Sequence, residues 1–222
     1  MAPREAGRRE RGRRRPPAEP PGVNRLEAAL RGIATELNRR GRSWALVGGL
    51  AVSARAEPRF TRDIDLALAV ADDADAEALV HALVDRGYQV TASLEQESVG
   101  RLATVRLEAP GEGPEGVVVD LLFASSGIEP DLVRAADVLE VFPGLSIRVA
   151  RGGHLLALKV LSKSPSRPQD VVDIAALLRQ ADAADLEEAR EMCDLIVRRG
   201  YGRGRDLPNL LEGELRTSGP AS

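Results

Sequence analysis

Cysteine is almost absent from this 222-residue chain. Cys193 stands alone, so no internal disulfide and no multi-cysteine metal site can form. Lysine is nearly as rare: Lys159 and Lys163 are the only two among 31 basic residues. No apolar run approaches the ~20 residues that a membrane helix needs. The N-terminal stretch has no apolar core of the kind a secretory signal carries, so a reducing, cytoplasmic setting is expected. With 43% apolar and 29% charged residues, the chain is neither collagen-like, coiled-coil nor wholly disordered. Its length suits one large α/β domain, or one domain with a small second layer.

Charge is unevenly divided. The whole chain is −3, but residues 1–22 hold seven arginines against three glutamates, a local +4 that leaves −7 for the remainder. That first stretch is rich in Arg, Pro and Glu and nearly devoid of apolar side chains. It cannot bury a core, and it is expected to be a disordered tail. It reads either as a solubilising extension (or an early start) or as an arm attracted to RNA. A mildly acidic body argues against a DNA-coating protein, yet leaves room for an enzyme that meets RNA through a local basic patch.

The folded part is expected from about residue 23, with Asn24 as an N-cap and Leu26, Leu30, Ile33 and Leu37 at helical spacing. Trp44–Val47 reads as a buried strand ending in Gly48-Gly49, with a helix over 50–56. Residues 63–70 alternate like a strand; 74–86 read as a helix closed by Gly87. A short strand is expected at 88–91. Residues 102–107 and 117–123 flank a Pro/Gly-rich turn, the pattern of a hairpin with a long loop. After Ile147–Val149 strand signals end, and 151–163, 169–180 and 184–199 read as helices. The expectation is an α/β domain over 23–150 with a mixed sheet flanked by helices, a helical part over 151–215, and a flexible end from 216 to 222.

Asp63 and Asp65 are two residues apart on a strand, so both carboxylates project from one face, with Cα atoms ~7 Å apart. Such a pair is costly unless a positive charge lies between them. Two Mg²⁺ ions are the usual solution, and they serve in-line phosphoryl chemistry. The plainer reading is two exposed acids at a strand edge. Gly48-Gly49 adds a place where backbone can approach a ligand closely and where a helix start offers free N–H groups to phosphates. Arg59 lies ten positions after Gly49 and opens Arg59-Phe-Thr61-Arg-Asp63-Ile-Asp65.

The stretch VGGLAVSARAEPRFTRDIDL, residues 47–66, resembles the signature of the DNA polymerase β-like nucleotidyltransferase superfamily: a Gly-Gly helix start, then R-x-[ST]-x-D-x-D. Its surroundings most resemble the minimal bacterial branch that includes the AbiEii/AbiGii toxins of type IV toxin–antitoxin systems. The compatible element order extends to about residue 180. The resemblance implies transfer of a nucleoside monophosphate from an NTP to an acceptor hydroxyl, with release of pyrophosphate. It calls for a third carboxylate on a neighbouring strand. Asp120, an acid in an otherwise apolar strand, is the candidate and is expected to be paired or metal-bound; Glu108 is the second choice.

Leu155–Ile174 resembles the K…R-x-[KQ]-D-x-x-D stretch of the same branch, in which the lysine faces the triphosphate and the first aspartate supports the site. This assigns nucleotide binding to Gly48, Gly49, Arg59, Thr61, Lys159 and Asp170, and metal binding to Asp63, Asp65 and Asp120. Lys159 as a snorkelling surface lysine, and Asp170 and Asp173 as ordinary early helix acids, are the competing readings. The resemblance further implies an RNA acceptor (a tRNA end) or a protein acceptor, and an antitoxin partner. An aminoglycoside-type enzyme, whose cationic acceptor would want an acidic cleft, is one alternative. A nucleotide-binding regulatory module without catalysis is another.

Arg198-Arg-Gly-Tyr201-Gly-Arg-Gly-Arg205 either caps a helix end or contacts a nucleic-acid backbone, with Tyr201 stacking on a base. His81 and His154 lack metal-ligand spacing and read as structural, and Cys193 reads as a packed thiol.

Overall fold

A computed structural model describes residues 25–96, 100–111 and 116–218. The basic stretch 1–22, the Asn24 cap and residues 219–222 lie outside the described residues. In chain order the elements are α1 (Arg25–Arg39), β1 (Ser43–Val47), α2 (Gly48–Arg55), β2 (Asp63–Ala69), α3 (Asp73–Val84), β3 (Gln89–Gln96), β4 (Arg101–Glu108) and β5 (Val118–Leu122). Then follow α4 (Glu129–Ala135), β6 (Asp137–Phe142), β7 (Leu145–Val149), α5 (Gly152–Ser162), α6 (Pro168–Gln180), α7 (Ala183–Arg198) and α8 (Leu207–Ser218).

The strands form one mixed sheet in the order β3-β4-β5-β2-β1-β7-β6. β2 runs parallel to β5 and antiparallel to β1, and β1 runs parallel to β7. The two central strands are therefore the two that flank Gly48-Gly49 and carry the Asp-x-Asp pair. Local chemistry explains much of this. Leu26, Leu30, Ile33 and Leu37 line one side of α1 and are buried, as their spacing demands. Asp72 caps α3 by accepting from the Asp75 N–H at 2.9 Å. Asp182 and Asp185 form a reciprocal capping box at the start of α7. One continuous apolar core runs from Leu30 through Ile64, Leu66 and Leu121 to Leu156, Ile196 and Leu211, joining the sheet to the C-terminal helices.

Four features depart from the expectations. α2 begins at Gly48, so the glycine pair is the first turn of the helix rather than a turn before it. β3 continues to Gln96 instead of ending near Thr91. It is an edge strand of mostly polar, exposed residues, and its extension comes from pairing with β4, which single-strand propensity does not register. α4 and β6 were not anticipated, although Pro130 with Glu129 and Asp131 in the first turn is a fair helix-start signal. α8 runs to Ser218, three residues into the segment expected to be a flexible end.

Candidate active site

The site is built outward from β2. Within it Ile64, Leu66 and Leu68 are buried, while Asp63 and Asp65 alternate with them and stay partly accessible. Parallel pairing sets Asp65 abreast of Asp120 on β5, and antiparallel pairing sets it abreast of Val47, the residue before Gly48. All three predicted carboxylates line one cleft of about 730 Å³, together with Gly48, Gly49, Arg59, Thr61 and Lys159.

Close approach explains the glycines. Gly48 has φ +65, and a Cβ there would lie 1.9 Å from Asp65 Oδ2. A Cβ on Gly49 would lie 2.5 Å from the Arg59 guanidinium and 2.8 Å from Thr61 Oγ1. The Gly49 N–H donates to the Asp65 carboxyl. Burial, followed by the nearby Asp120 and Asp63 charges, pushes the Asp65 carboxyl up to about 6, with Lys159 and the Gly49 N–H acting in the opposite direction.

Asp120 is 8% exposed and is gripped bidentately by Arg106, directly opposite on β4: Nε to Oδ1 at 2.8 Å and Nη2 to Oδ2 at 2.7 Å. The expectation of a paired carboxylate holds, and the partner is a residue that the sequence did not single out. Alternation along β4 would have put Arg106 on the carboxylate face once the β4–β5 register was known. Glu108, the second choice, accepts from the Gly116 N–H at 3.0 Å and serves the hairpin turn.

Lys159 is buried in α5. Its ammonium lies 2.9 Å from Asp170 Oδ1 and 2.8 Å from Asp173 Oδ2, both on α6. Arg59 Nε lies 2.7 Å from Asp173, Arg167 Nε 3.2 Å from Asp170, and the Ser162 hydroxyl donates to Asp170 at 2.9 Å. Burial raises the Asp173 pKa, but Lys159, Gln169 and Arg59 together outweigh it and hold the carboxyl below its ordinary range. The snorkelling reading of Lys159 is thereby overturned: its head is buried, and Asp170 and Asp173 are its counter-ions. This network ties the loop before β2 to α5 and α6.

The remaining candidates do not line the cleft. His154 is buried with Nδ1 3.2 Å from Glu188, and His81 is exposed on α3. Cys193 is buried, its thiol pushed up to about 12 by that burial and by Asp194. Tyr201 is 9% exposed, packed against Gly127, so it cannot stack on a base.

Residues 30–219 match the family described as nucleotidyl transferase AbiEii toxin, Type IV TA system. The chain belongs to the AbiEii family. It is therefore a nucleotidyltransferase, and its chemistry is transfer of a nucleoside monophosphate. The antigenic nucleotidyltransferase-like protein from Paracoccidioides brasiliensis has a similar fold: TM-score 0.50 at 17% identity, over 86% of this chain and 93% of that one. ANT(2'')-Ia, solved in complex with adenylyl-2''-tobramycin, has TM-score 0.50 at 16% identity, over 78% of this chain and 97% of that one. At such identities these likenesses speak for the fold. No curated protein matches the chain. Among the described residues of this AbiEii-family chain, no helix is long and apolar enough to cross a membrane.

Proposed function

We propose that this AbiEii-family enzyme binds an NTP in the 730 Å³ cleft and transfers its NMP to a hydroxyl of an RNA or protein acceptor, as a toxin held in check by an antitoxin in the cytoplasm. The observation that carries the catalytic part is the juxtaposition of Asp63 and Asp65 on β2 with Asp120 on the parallel neighbour β5, facing the glycine start of α2.

The donor set suits a hard divalent cation. Carboxylate oxygens are the ligands Mg²⁺ prefers. Burial first, and then the charges of Asp120 and Asp63, push the Asp65 carboxyl up, and a bound cation would offset both effects. Among the described residues no three metal-ligating groups already converge on one point, and both Asp120 oxygens face Arg106. Asp63 and Asp65 would hold two Mg²⁺ ions, with Asp120 joining them. When bound, the ions neutralise the triphosphate and the departing pyrophosphate.

The acceptor oxygen attacks the α-phosphorus, the bond from that phosphorus to the α,β-bridging oxygen breaks, and pyrophosphate leaves. Asp120 takes the acceptor's proton. Gly48 and Gly49 let the phosphates approach the start of α2. Lys159 faces the β- and γ-phosphates, Asp170 fixes that ammonium, and Arg59 and Thr61 steady the loop leading into β2.

Cleft charge does not select the acceptor. Among its described lining residues five are cationic (Arg59, Arg106, Lys159, Arg167, Arg203) and four are carboxylates (Asp63, Asp65, Glu95, Asp120). Arg59, Lys159 and Arg167 are paired with Asp170 and Asp173, and Arg106 with Asp120, so the lining carries no cationic excess and the RNA or protein acceptor rests on the family resemblance. Incubation with each radiolabelled NTP and Mg²⁺, against total RNA, cell protein and an aminoglycoside panel, tests the reading. Label in RNA or protein is the expected result, and label only in the aminoglycosides would reverse the acceptor assignment.

A further inference from the structure

The Arg/Gly/Tyr stretch between α7 and α8 divides its work. Tyr201 packs onto Gly127, where an added Cβ would lie 2.4 Å from the ring, and Arg199 donates to the Gly127 carbonyl and to Asp131. Arg205 donates to the Leu161 carbonyl at 2.7 Å, at the end of α5. The Tyr201 and Arg199 contacts fasten the loop to the turn that follows β5, reaching it at Gly127, seven residues beyond Asp120, and the Arg205 contact fastens it to α5.

Arg203 does something else. It is the residue of this stretch that lines the cleft, beside Ser125, Ser126 and Arg167. Its backbone is left-handed at φ 55, the one non-glycine residue in that region among the described residues. L-residues avoid this conformation, and it persists where surrounding contacts impose it. Its guanidinium donates to the Ser125 carbonyl at 3.2 Å, and among the described residues no carboxylate lies within ion-pair distance of it. Burial, then the like charges of Arg167 and Arg205, pull its pKa down, with Glu129 acting weakly the other way.

The turn it touches is held firmly. Glu129 Oε1 accepts from the Ser125 N–H at 2.9 Å, the Ser126 N–H at 2.7 Å and the Ser126 hydroxyl at 2.8 Å. Arg203 thus lines the cleft as an exposed arginine in a left-handed conformation, against a braced turn and near the like charge of Arg167, with no carboxylate partner among the described residues.

We propose that Arg203, with Arg167 beside it, forms a phosphate subsite on the helical wall of the cleft, taking a phosphoryl group of the nucleotide's tail or of the acceptor. The inference rests on the nucleotidyltransferase reading of the cleft. A planar guanidinium pairs bidentately with phosphoryl oxygens, which suits Arg at this position better than Lys.

Arg203→Gly tests the subsite without endangering the fold. Glycine adopts a φ of 55 freely, so the thermal midpoint holds or rises. Two titrations distinguish the source of the phosphate: inorganic tripolyphosphate into the free protein, and glycerol phosphate into protein saturated with a non-hydrolysable NTP analogue. Arg203→Gly is expected to weaken one of them by roughly ten- to a hundredfold, the loss of one charge-assisted contact. Exposed Arg198→Ala, a loss of the same charge nearby, leaves both unchanged. Loss in the first titration assigns the nucleotide's tail, and loss in the second assigns the acceptor. Parental affinity in both titrations overturns the subsite. If the parent binds neither tripolyphosphate nor the NTP analogue, the underlying reading of the cleft fails, and the subsite with it.

Discussion

Arg106 faces Asp120 across β4 and β5 and donates two hydrogen bonds to it, at 2.8 and 2.7 Å, so the third carboxylate of the proposed site is already engaged by a guanidinium. A cation and Arg106 would compete for the same two oxygens. Arg106→Gln is expected to tighten Mn²⁺ or Mg²⁺ binding by about tenfold, roughly 1.4 kcal/mol. The Arg106 side chain is half exposed, so the cost in stability should stay near 1 kcal/mol. Calorimetric titration decides; weaker metal binding in the variant would mean that Arg106 orients Asp120 for the ion instead.

Asp65→Asn keeps the shape of the side chain and removes its charge. Burial and the neighbouring carboxylates already disfavour that charge, so the metal-free variant should melt at or slightly above the parental temperature. Transfer should fall below detection. Full activity in a normally folded variant would remove Asp65 from the metal site.

Gly48→Ala meets two obstacles at once. The left-handed φ of +65 costs about 1 kcal/mol for any L-residue, and the new methyl would sit 1.9 Å from Asp65 Oδ2. The expected result is a loss of about 2–4 kcal/mol in stability together with loss of transfer. Denaturant unfolding and an activity assay check both, and parental behaviour would show that α2 can shift without cost.

Lys159→Ala removes the shared counter-ion of Asp170 and Asp173. Two buried carboxylates then keep Arg59 and Arg167 as their cations, with Ser162 and Gln169 as neutral donors, and a destabilisation of about 3–5 kcal/mol is expected. Well below the melting midpoint, the proposed role of Lys159 toward the β- and γ-phosphates requires NTP affinity to fall roughly ten- to a hundredfold and NMP affinity much less. Equal losses for both nucleotides would confine Lys159 to scaffolding.

Much of the site could be read in the sequence because its pieces are local. Period-two alternation put Asp63 and Asp65 on one face, and the glycine pair between a strand and a helix reads as a place of close approach, though the groups that approach it in the structure are the chain's own Asp65, Arg59 and Thr61 rather than a ligand. The heptad-like spacing in α1 is equally local and legible for the same reason, whereas the capping aspartates of α3 and α7 come from the structure.

What the tertiary structure decided involves partners far apart in the chain. Nothing in the sequence sets the β4–β5 register that brings Arg106 onto Asp120, or the packing of α6 on α5 that surrounds Lys159 with Asp170 and Asp173. β3 owes its extension beyond Thr91 to pairing with β4, since its own residues there are polar and exposed, whereas β6 (Asp137–Phe142) carries strand-forming valines and a phenylalanine of its own. The Arg198–Arg205 stretch makes the difference plainest. Its composition is visible at once, but only the docking of Tyr201 on Gly127 separates the arginines that fasten the loop from Arg203, which enters the cleft. Local propensity and periodicity are written residue by residue, whereas the pairing of charges depends on which surfaces the hydrophobic core draws together.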